Sequence, residues 1–269
     1  MTRRRRDPVS ARPELTGCVS FVGAGPGDAD LVTVKGLRRI READVVIHDR
    51  LVPPELLDET RPDADVIDVG KSPGRPCPRQ DQINRLIVDH ALEGRRVVRL
   101  KGGDPSIFGR LAEEVRAVRA AGVPCEVVPG VTAATAAAAC AGISLTERGQ
   151  ASTIVFATGS DHAGQPLPDH DWELLARGAG TLVFYMPLAS LSRVVGALTS
   201  SGRDPDEPAM LVEAVGTERE RIVSSRLGEI PARARETGVD SPAILISGPT
   251  VDAASTVPAL LEALARLGA

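Results

Sequence analysis

Twice within its first 110 residues, this chain runs a short β-branched segment into a glycine-rich loop and then into a helical pattern. The first elbow reads Val22-Gly-Ala-Gly-Pro-Gly-Asp28; the second reads Arg99-Leu-Lys-Gly-Gly-Asp-Pro-Ser-Ile-Phe-Gly-Arg110. Gly102 and Gly103 carry no Cβ, so main chain there can approach a ligand closely. Repeated strand–loop–helix units point to a parallel sheet, with small-molecule chemistry at the carboxyl ends of its strands.

The same rhythm continues along the chain. Strands are expected at Cys18–Gly23, Val45–His48, Asp65–Val69, Arg96–Lys101, Cys125–Val128, Thr153–Thr158, Thr181–Met186, Ala209–Val215, Arg221–Ser225 and Ala243–Ser247. Helical periods fill the gaps, at Thr33–Ala43, Gln80–Glu93, Ser106–Ala121 and Ser190–Ser200. Strands alternating with helices place the chain in the α/β class. Around Val215–Arg226 two strands fall close together with polar residues between them, so the second half is expected to be mixed rather than purely parallel. A boundary at Pro129-Gly130 divides the chain into a tail (1–16), an N-terminal α/β domain (17–130) and a C-terminal α/β domain (131–269). Just past it, Thr132–Gly142 is almost entirely small residues, which suits either a helix packed tightly at the junction or simply a good helix former. Val257–Leu267 has apolar residues at helical spacing.

Composition narrows the function classes. Aromatics make up only 2% of 269 residues, so the core must be built from Val, Leu, Ile and Ala. The apolar runs are strand-sized, so no bilayer span is expected. Arg3–Arg6 is followed by no apolar segment, so a cytoplasmic protein is expected rather than a secreted one. A net charge of −4 argues against a nucleic-acid binder. The first 110 residues are slightly cationic and the remainder anionic, which is compatible with an anionic small substrate and equally with chance. Cys18, Cys77, Cys125 and Cys140 form no C-x-x-C pair and read as reduced, mostly core thiols. His48, His90, His162 and His170 show no ligand spacing, so no metal is expected.

The first loop is G-x-G-P-G-D, not the dinucleotide fingerprint G-x-G-x-x-G. Pro26 removes a donor that a phosphate cradle would use. Both loops end in carboxylates, Asp28 and Asp104, which repel phosphate but suit a cation or ribose hydroxyls. S-adenosylmethionine, a sulfonium nucleoside without phosphate, fits these loops better than NAD or ATP. Helix capping is the alternative: Asp104 before Pro105 is an N-cap pattern, and Asp28 or Asp30 could cap a helix starting near Thr33. The chain has only three lysines, Lys35, Lys71 and Lys101. Lys71, just beyond a strand, is a candidate proton-handling group or an exposed strand-end lysine. Asp49, at the end of Val45–His48, is a candidate base or an ion-pair partner of Arg50.

Seven motifs in order resemble the tetrapyrrole methylase family, and most of all its members that methylate uroporphyrinogen III. They are Val22–Asp28, Ala43-Asp-Val-Val-Ile-His-Asp-Arg-Leu-Val52, Val69-Gly-Lys71, Arg99–Arg110, Val127-Val-Pro-Gly-Val-Thr-Ala133, Thr181-Leu-Val-Phe-Tyr-Met186 and Ser241-Pro-Ala-Ile-Leu-Ile246. The resemblance runs from about Gly17 to Val251 and leaves no room for the dehydrogenase–chelatase half that some members carry in front. It implies two α/β domains with the active site in the cleft between them, and a homodimer. The implied activity is methyl transfer from S-adenosylmethionine to uroporphyrinogen III, twice, giving precorrin-2 on the route to siroheme or cobalamin. By matching position, the cofactor contacts would be Pro26, Gly102, Gly103, Asp104, Ile107, Thr132, Ala133, Met186 and Val215, with Ala214 and Ala243 close by. Asp49 matches the family's proton acceptor and Lys71 its proton donor. A substrate with eight carboxylates calls for converging guanidinium groups, for which Arg50, Arg75, Arg79, Arg110 and Arg148 are the candidates.

The chain departs from the family pattern in three places. Leu111-Ala112 replaces Gly-Gly, Pro187 replaces a Gly, and Leu145-Thr-Glu-Arg-Gly-Gln150 replaces Leu-Thr-His-Arg-Asp-Tyr. The last change puts Glu147 near the expected substrate cavity, where it would repel a polycarboxylate unless paired, for instance with Arg148. A methylase of a later corrin intermediate is therefore the second reading, and a non-catalytic S-adenosylmethionine-binding module the third. A nicotinamide oxidoreductase is disfavoured by Pro26 and the missing fingerprint.

Overall fold

The computed structural model describes residues 17–70, 78–160, 169–178 and 180–251. Lys71, Arg75, Cys77, His162, the 1–16 tail and the Val257–Leu267 pattern lie outside these residues. The described residues form two five-stranded sheets. The first contains β1 (Cys18–Gly23), β2 (Val45–His48), β3 (Asp65–Asp68), β4 (Arg96–Lys101) and β5 (Cys125–Val128), in the order β3-β2-β4-β1-β5. Every pairing in it is parallel. The second contains β6 (Ile154–Thr158), β7 (Thr181–Tyr185), β8 (Pro208–Glu213), β9 (Arg221–Arg226) and β10 (Ala243–Ser247), in the order β6-β7-β10-β8-β9. Only β6–β7 is parallel there; the rest are antiparallel, so the second sheet is mixed, as expected from the sequence.

Helices cover both faces of the first sheet. Helices α1 (Val34–Glu42) and α2 (Pro54–Asp58) bury Ile40 and Leu56 against Val22, Val46, Val98 and Leu100. On the opposite face, α3 (Gln80–Leu92) and α4 (Leu111–Ala120) bury Ile83, Ile87 and Val118 against Phe21, Ile47 and Val97. The chain therefore leaves β1 for one face and β4, its neighbour, for the other. Such a parting of connections opens a crevice at the carboxyl edge of a parallel sheet.

In the second sheet, the period-2 alternation of a strand divides β7 cleanly. Val183 and Tyr185 face α5 (Ala133–Cys140), while Leu182 and Phe184 face α7 (Leu191–Ser200) and α8 (Ile230–Thr237). A short helix, α6 (Trp172–Arg177), adds Trp172 and Leu175 to the second cluster. Leu31 and Ile107, from the loops of the first sheet, pack on the α5 side. The two sheets are joined there.

Several local expectations need correction. The helix expected from Ser106 starts at Leu111, because Phe108 (φ 49°) and Arg110 (φ 55°) are in the left-handed region and cannot continue a right-handed helix. Asp104 is therefore not the cap of that helix. Thr33, rather than Asp28 or Asp30, caps α1 by accepting the Gly36 N–H at 3.0 Å. Asp28 caps a 3-10 turn over Ala29–Leu31 instead. The strands expected to end at Met186 and Val215 stop one and two residues earlier, because Met186 (φ 52°) and Ala214 (φ 47°) leave the extended region. The thiols are less buried than expected: Cys18 is exposed, and Cys125 and Cys140 are half-buried.

Two predictions follow from this packing. Phe184 is fully buried under α7, so Phe184→Ala should cost about 3–5 kcal/mol in urea unfolding. On edge strand β5, Glu126 binds Lys35 (2.6 Å), Arg39 and Ser20, and the Lys35 contact leads in holding its carboxyl down to about 2, against an ordinary 4.5. A carboxyl depressed in the folded state contributes stability above the unfolded value and loses it as pH falls through the folded one. The stability gap between wild type and Glu126→Gln should be complete at neutral pH and close between about pH 4.5 and 2, as read from unfolding curves across that range.

Candidate active site

At the carboxyl edge of the first sheet three loops close on one another. The loops after β1 and β4 pair as a two-residue antiparallel bridge: the Gly103 N–H donates to the Gly25 carbonyl at 2.9 Å, and the Gly25 N–H to that of Gly103 at 3.3 Å. The loop after β5 comes as near, since a Cβ on Gly130 would lie 2.3 Å from the Gly103 carbonyl oxygen. Asp104 ties this junction. One carboxylate oxygen accepts the Gly130 N–H at 3.0 Å, and the other accepts the N–H and hydroxyl of Ser106. The carboxylate therefore cross-links two loops, a role the capping pattern did not suggest.

The second sheet meets these loops through the one tyrosine of the chain. Tyr185, at the end of β7, bonds through its hydroxyl to Thr132 and accepts the Ala134 N–H at 3.2 Å at the start of α5. Phe108 packs on its ring at a 5.0 Å centroid separation. Burial, with the nearby charge of Asp104, raises the Tyr185 hydroxyl above its usual range, so it remains protonated. Ala214 donates its N–H to the Pro242 carbonyl at 2.8 Å, which sets the Ala214-Val215 turn beside Ala243. Val215 in turn touches Gly27, next to Pro26. The eleven residues matched to cofactor contacts thus fall along one connected seam: Pro26 with Val215, Ala214 and Ala243; Gly102, Gly103 and Asp104 with Thr132 and Ala133; Met186 directly after Tyr185; and Ile107 packed on the same cluster. Met186 and Ala214 hold strained positive φ angles in this seam, a conformation that tertiary contacts must impose.

Asp49 stands one strand away, where the sequence places it, but its partner is not Arg50. Its carboxylate, about one-third exposed, is bonded by the Arg99 guanidinium and lies 3.9 Å from Lys101 Nζ. Both cations are buried, and both also reach Glu114 on α4: Arg99 Nε at 3.0 Å and Lys101 Nζ at 3.0 Å. Glu114 is fully buried and takes a further bond from the Gln80 amide at 3.2 Å. Arg99 spends its other donors on the carbonyls of Ile47 and Leu100. The cluster is charge-balanced and hydrogen-bonded throughout, the condition under which buried charge is tolerated. Burial, aided by the Arg99 charge, lowers the Lys101 ammonium from its usual value, whereas Asp49 and Glu114 outweigh burial and raise Arg99. Sequence reading missed Glu114: it was a polar position on a helix, and only its burial marks it.

The other arginines are less gathered. Arg79 pairs with Asp81 at 3.2 Å and Arg110 with Glu113 at 2.8 Å, while Arg50 and Arg148 are exposed. Glu147 is bonded by the Gln150 amide at 2.7 Å rather than by Arg148. Among the described residues no cluster of His, Cys, Asp or Glu could hold a metal ion, and no helix is long and apolar enough to cross a membrane.

Residues 19–231 match the tetrapyrrole (corrin/porphyrin) methylases. The chain belongs to this family. Among its relatives, this methylase is 45% identical over 251 residues to a siroheme synthase of Tolumonas auensis, covering 93% of this chain and 53% of that protein. It is 44% identical over 236 residues to the uroporphyrinogen-III C-methyltransferase of Bacillus subtilis, covering 88% and 49%. The chain thus spans about half the length of the curated relatives it matches. Among solved structures, the uroporphyrin-III C-methyl transferase of Thermus thermophilus complexed with S-adenyl homocysteine matches with a TM-score of 0.76 at 40% identity, covering 88% of this methylase and 100% of that chain.

Glu114→Ala should leave two buried cations facing a single carboxylate and cost about 3–5 kcal/mol, measured by urea unfolding.

Proposed function

We propose that this methylase transfers methyl groups from S-adenosylmethionine to carbon atoms of uroporphyrinogen III, twice, giving precorrin-2 for siroheme or cobalamin synthesis. The observation that carries this reading is the setting of Asp49: a partly exposed carboxylate, clamped by Arg99, at the same sheet edge as the bridged glycine loops. The named activities of its relatives agree with it. The seam suits a phosphate-free nucleoside, because Pro26 offers no N–H and Asp104 brings a negative charge. A Cβ placed on Gly103 would meet only main chain, Ala133 N at 3.8 Å and Val131 O at 3.9 Å, so the wall there is peptide backbone. Ile107, Val131 and Leu31 supply apolar lining alongside.

The sulfonium supplies an already activated methyl group, so the protein's main work is alignment. An electron-rich pyrrole carbon attacks the methyl carbon, the carbon–sulfur bond breaks, and its electron pair stays on sulfur, leaving S-adenosylhomocysteine. The methylated macrocycle then loses a proton to Asp49, which Arg99 holds in place. Lys71 supplies a proton or offsets negative charge at the same step. Arg50, Arg75, Arg79, Arg110 and Arg148 receive the substrate carboxylates, which requires Arg79 and Arg110 to exchange their present partners. The two sheets serve as two domains, 17–130 and 131–269, with the reaction between them, in a cytoplasmic homodimer.

Asp49→Ala should retain S-adenosylhomocysteine binding in calorimetry and lose most methyl transfer to uroporphyrinogen III, with methyl addition counted by mass spectrometry. Full turnover in that variant would remove Asp49 from the mechanism. In the wild type, two methyls are expected per macrocycle; methylation only of a later corrin would favour the alternative acceptor.

A further inference from the structure

Two turns from different sheets meet with no side chain between them. In the loop after β1, the Asp28 N–H donates to the Pro26 carbonyl at 2.8 Å, closing a three-residue turn with Gly27 at its apex (φ 73°). This is the rare positive-φ form of γ-turn. In the loop after β8, the Thr217 N–H donates to the Ala214 carbonyl at 3.0 Å, with Gly216 (φ 73°) at the third position of the turn. The apices touch through main chain. A Cβ on Gly27 would lie 2.2 Å from the Val215 carbonyl oxygen, and one on Gly216 would lie 2.4 Å from that of Pro26. Ordinary van der Waals contact begins near 3.4 Å, so either methyl would force the turns apart by about 1 Å.

The second turn is also fastened from behind. Glu220 accepts the Gly216 N–H at 2.8 Å, and its charge acts on the thiol of Cys140 at the end of α5. Burial, reinforced by Glu220, pushes that thiol up to about 12, so it keeps its proton. Pro26, Ala214 and Val215 lie on the two turns themselves. The spacing of these residues across the seam is therefore set by how closely the glycines approach.

We propose that Gly27 and Gly216 form a main-chain catch that fixes the separation of the two walls of the S-adenosylmethionine site, with Glu220 as its fastener. The inference rests on the seam being that site, as proposed above. Gly27 and Gly216 are positioning residues: their contribution is the absence of a Cβ, which lets the walls close to the distance the nucleoside spans. A plain turn requirement for positive φ would act on folding alone, and the catch acts on binding as well.

Calorimetric titration of the full chain with S-adenosylhomocysteine separates these roles. Gly27→Ala and Gly216→Ala should each raise the Kd by about tenfold or more, a loss of about 1.4 kcal/mol or more. Gly122 shares the positive φ (71°) but has nothing within 4 Å of an added Cβ. Gly122→Ala should therefore lower the melting temperature through backbone strain and leave the Kd unchanged. Wild-type affinity in both seam variants overturns the catch. If neither seam variant folds, Glu220→Ala decides: weaker binding with an unchanged circular dichroism spectrum supports the catch, and wild-type binding overturns it. Failure of the wild type itself to bind S-adenosylhomocysteine would instead remove the ligand reading, and the catch with it.

Discussion

Four charges, two on β4, one on α4 and one just past β2, hold the carboxyl edge of the first sheet together. Glu114 on α4 binds Arg99 and Lys101 on β4, and the same two cations face Asp49 beyond the end of β2. Desolvating such groups is expensive, and only complete pairing makes it tolerable. The arrangement consequently admits little freedom: helix, central strand and carboxylate must all be in register, or a charge is left buried alone. A carboxylate held this way has its partners already fixed and needs little reorganisation.

The second constraint is main-chain proximity. Gly25 and Gly103 bridge, Gly130 approaches Gly103, and Gly27 meets Gly216, so loops from both sheets form one continuous wall with few side chains between them. Asp104 and Tyr185 then add directed bonds across the junction. Side-chain packing through Leu31 and Ile107 supplies the apolar part. A nucleoside lying against such a wall would be recognised by shape and by exposed peptide groups. This is consistent with a site assembled from glycine, alanine and threonine rather than from long charged residues.

Much of this was legible beforehand because it is local. The ten strands follow from β-branched runs and their flanking turns, and nearly all were placed to within a residue or two. The mixed second sheet followed from the closeness of β8 and β9. Where local signals failed, tertiary contacts had overruled them. Asp104-Pro105 has the look of a helix start, but the chain first makes positive-φ turns at Phe108 and Arg110, and α4 begins at Leu111. Asp49 was identified as a candidate base, yet its partner came from position 99 rather than 50, because β2 and β4 are neighbours in the sheet and not in the sequence.

By itself, then, the order of residues determined the alternating elements, the glycine loops at strand ends and the seven motifs of a tetrapyrrole methylase. Each depends on neighbours within a few positions, where propensity and turn chemistry operate. Only the folded chain decided that Glu114 is buried, that Tyr185 reaches Thr132, and that Gly27 rests on Gly216. Those contacts join residues 53 to 189 positions apart or turn on burial, and both arise from the way strands order themselves and sheets stack, which no local pattern encodes.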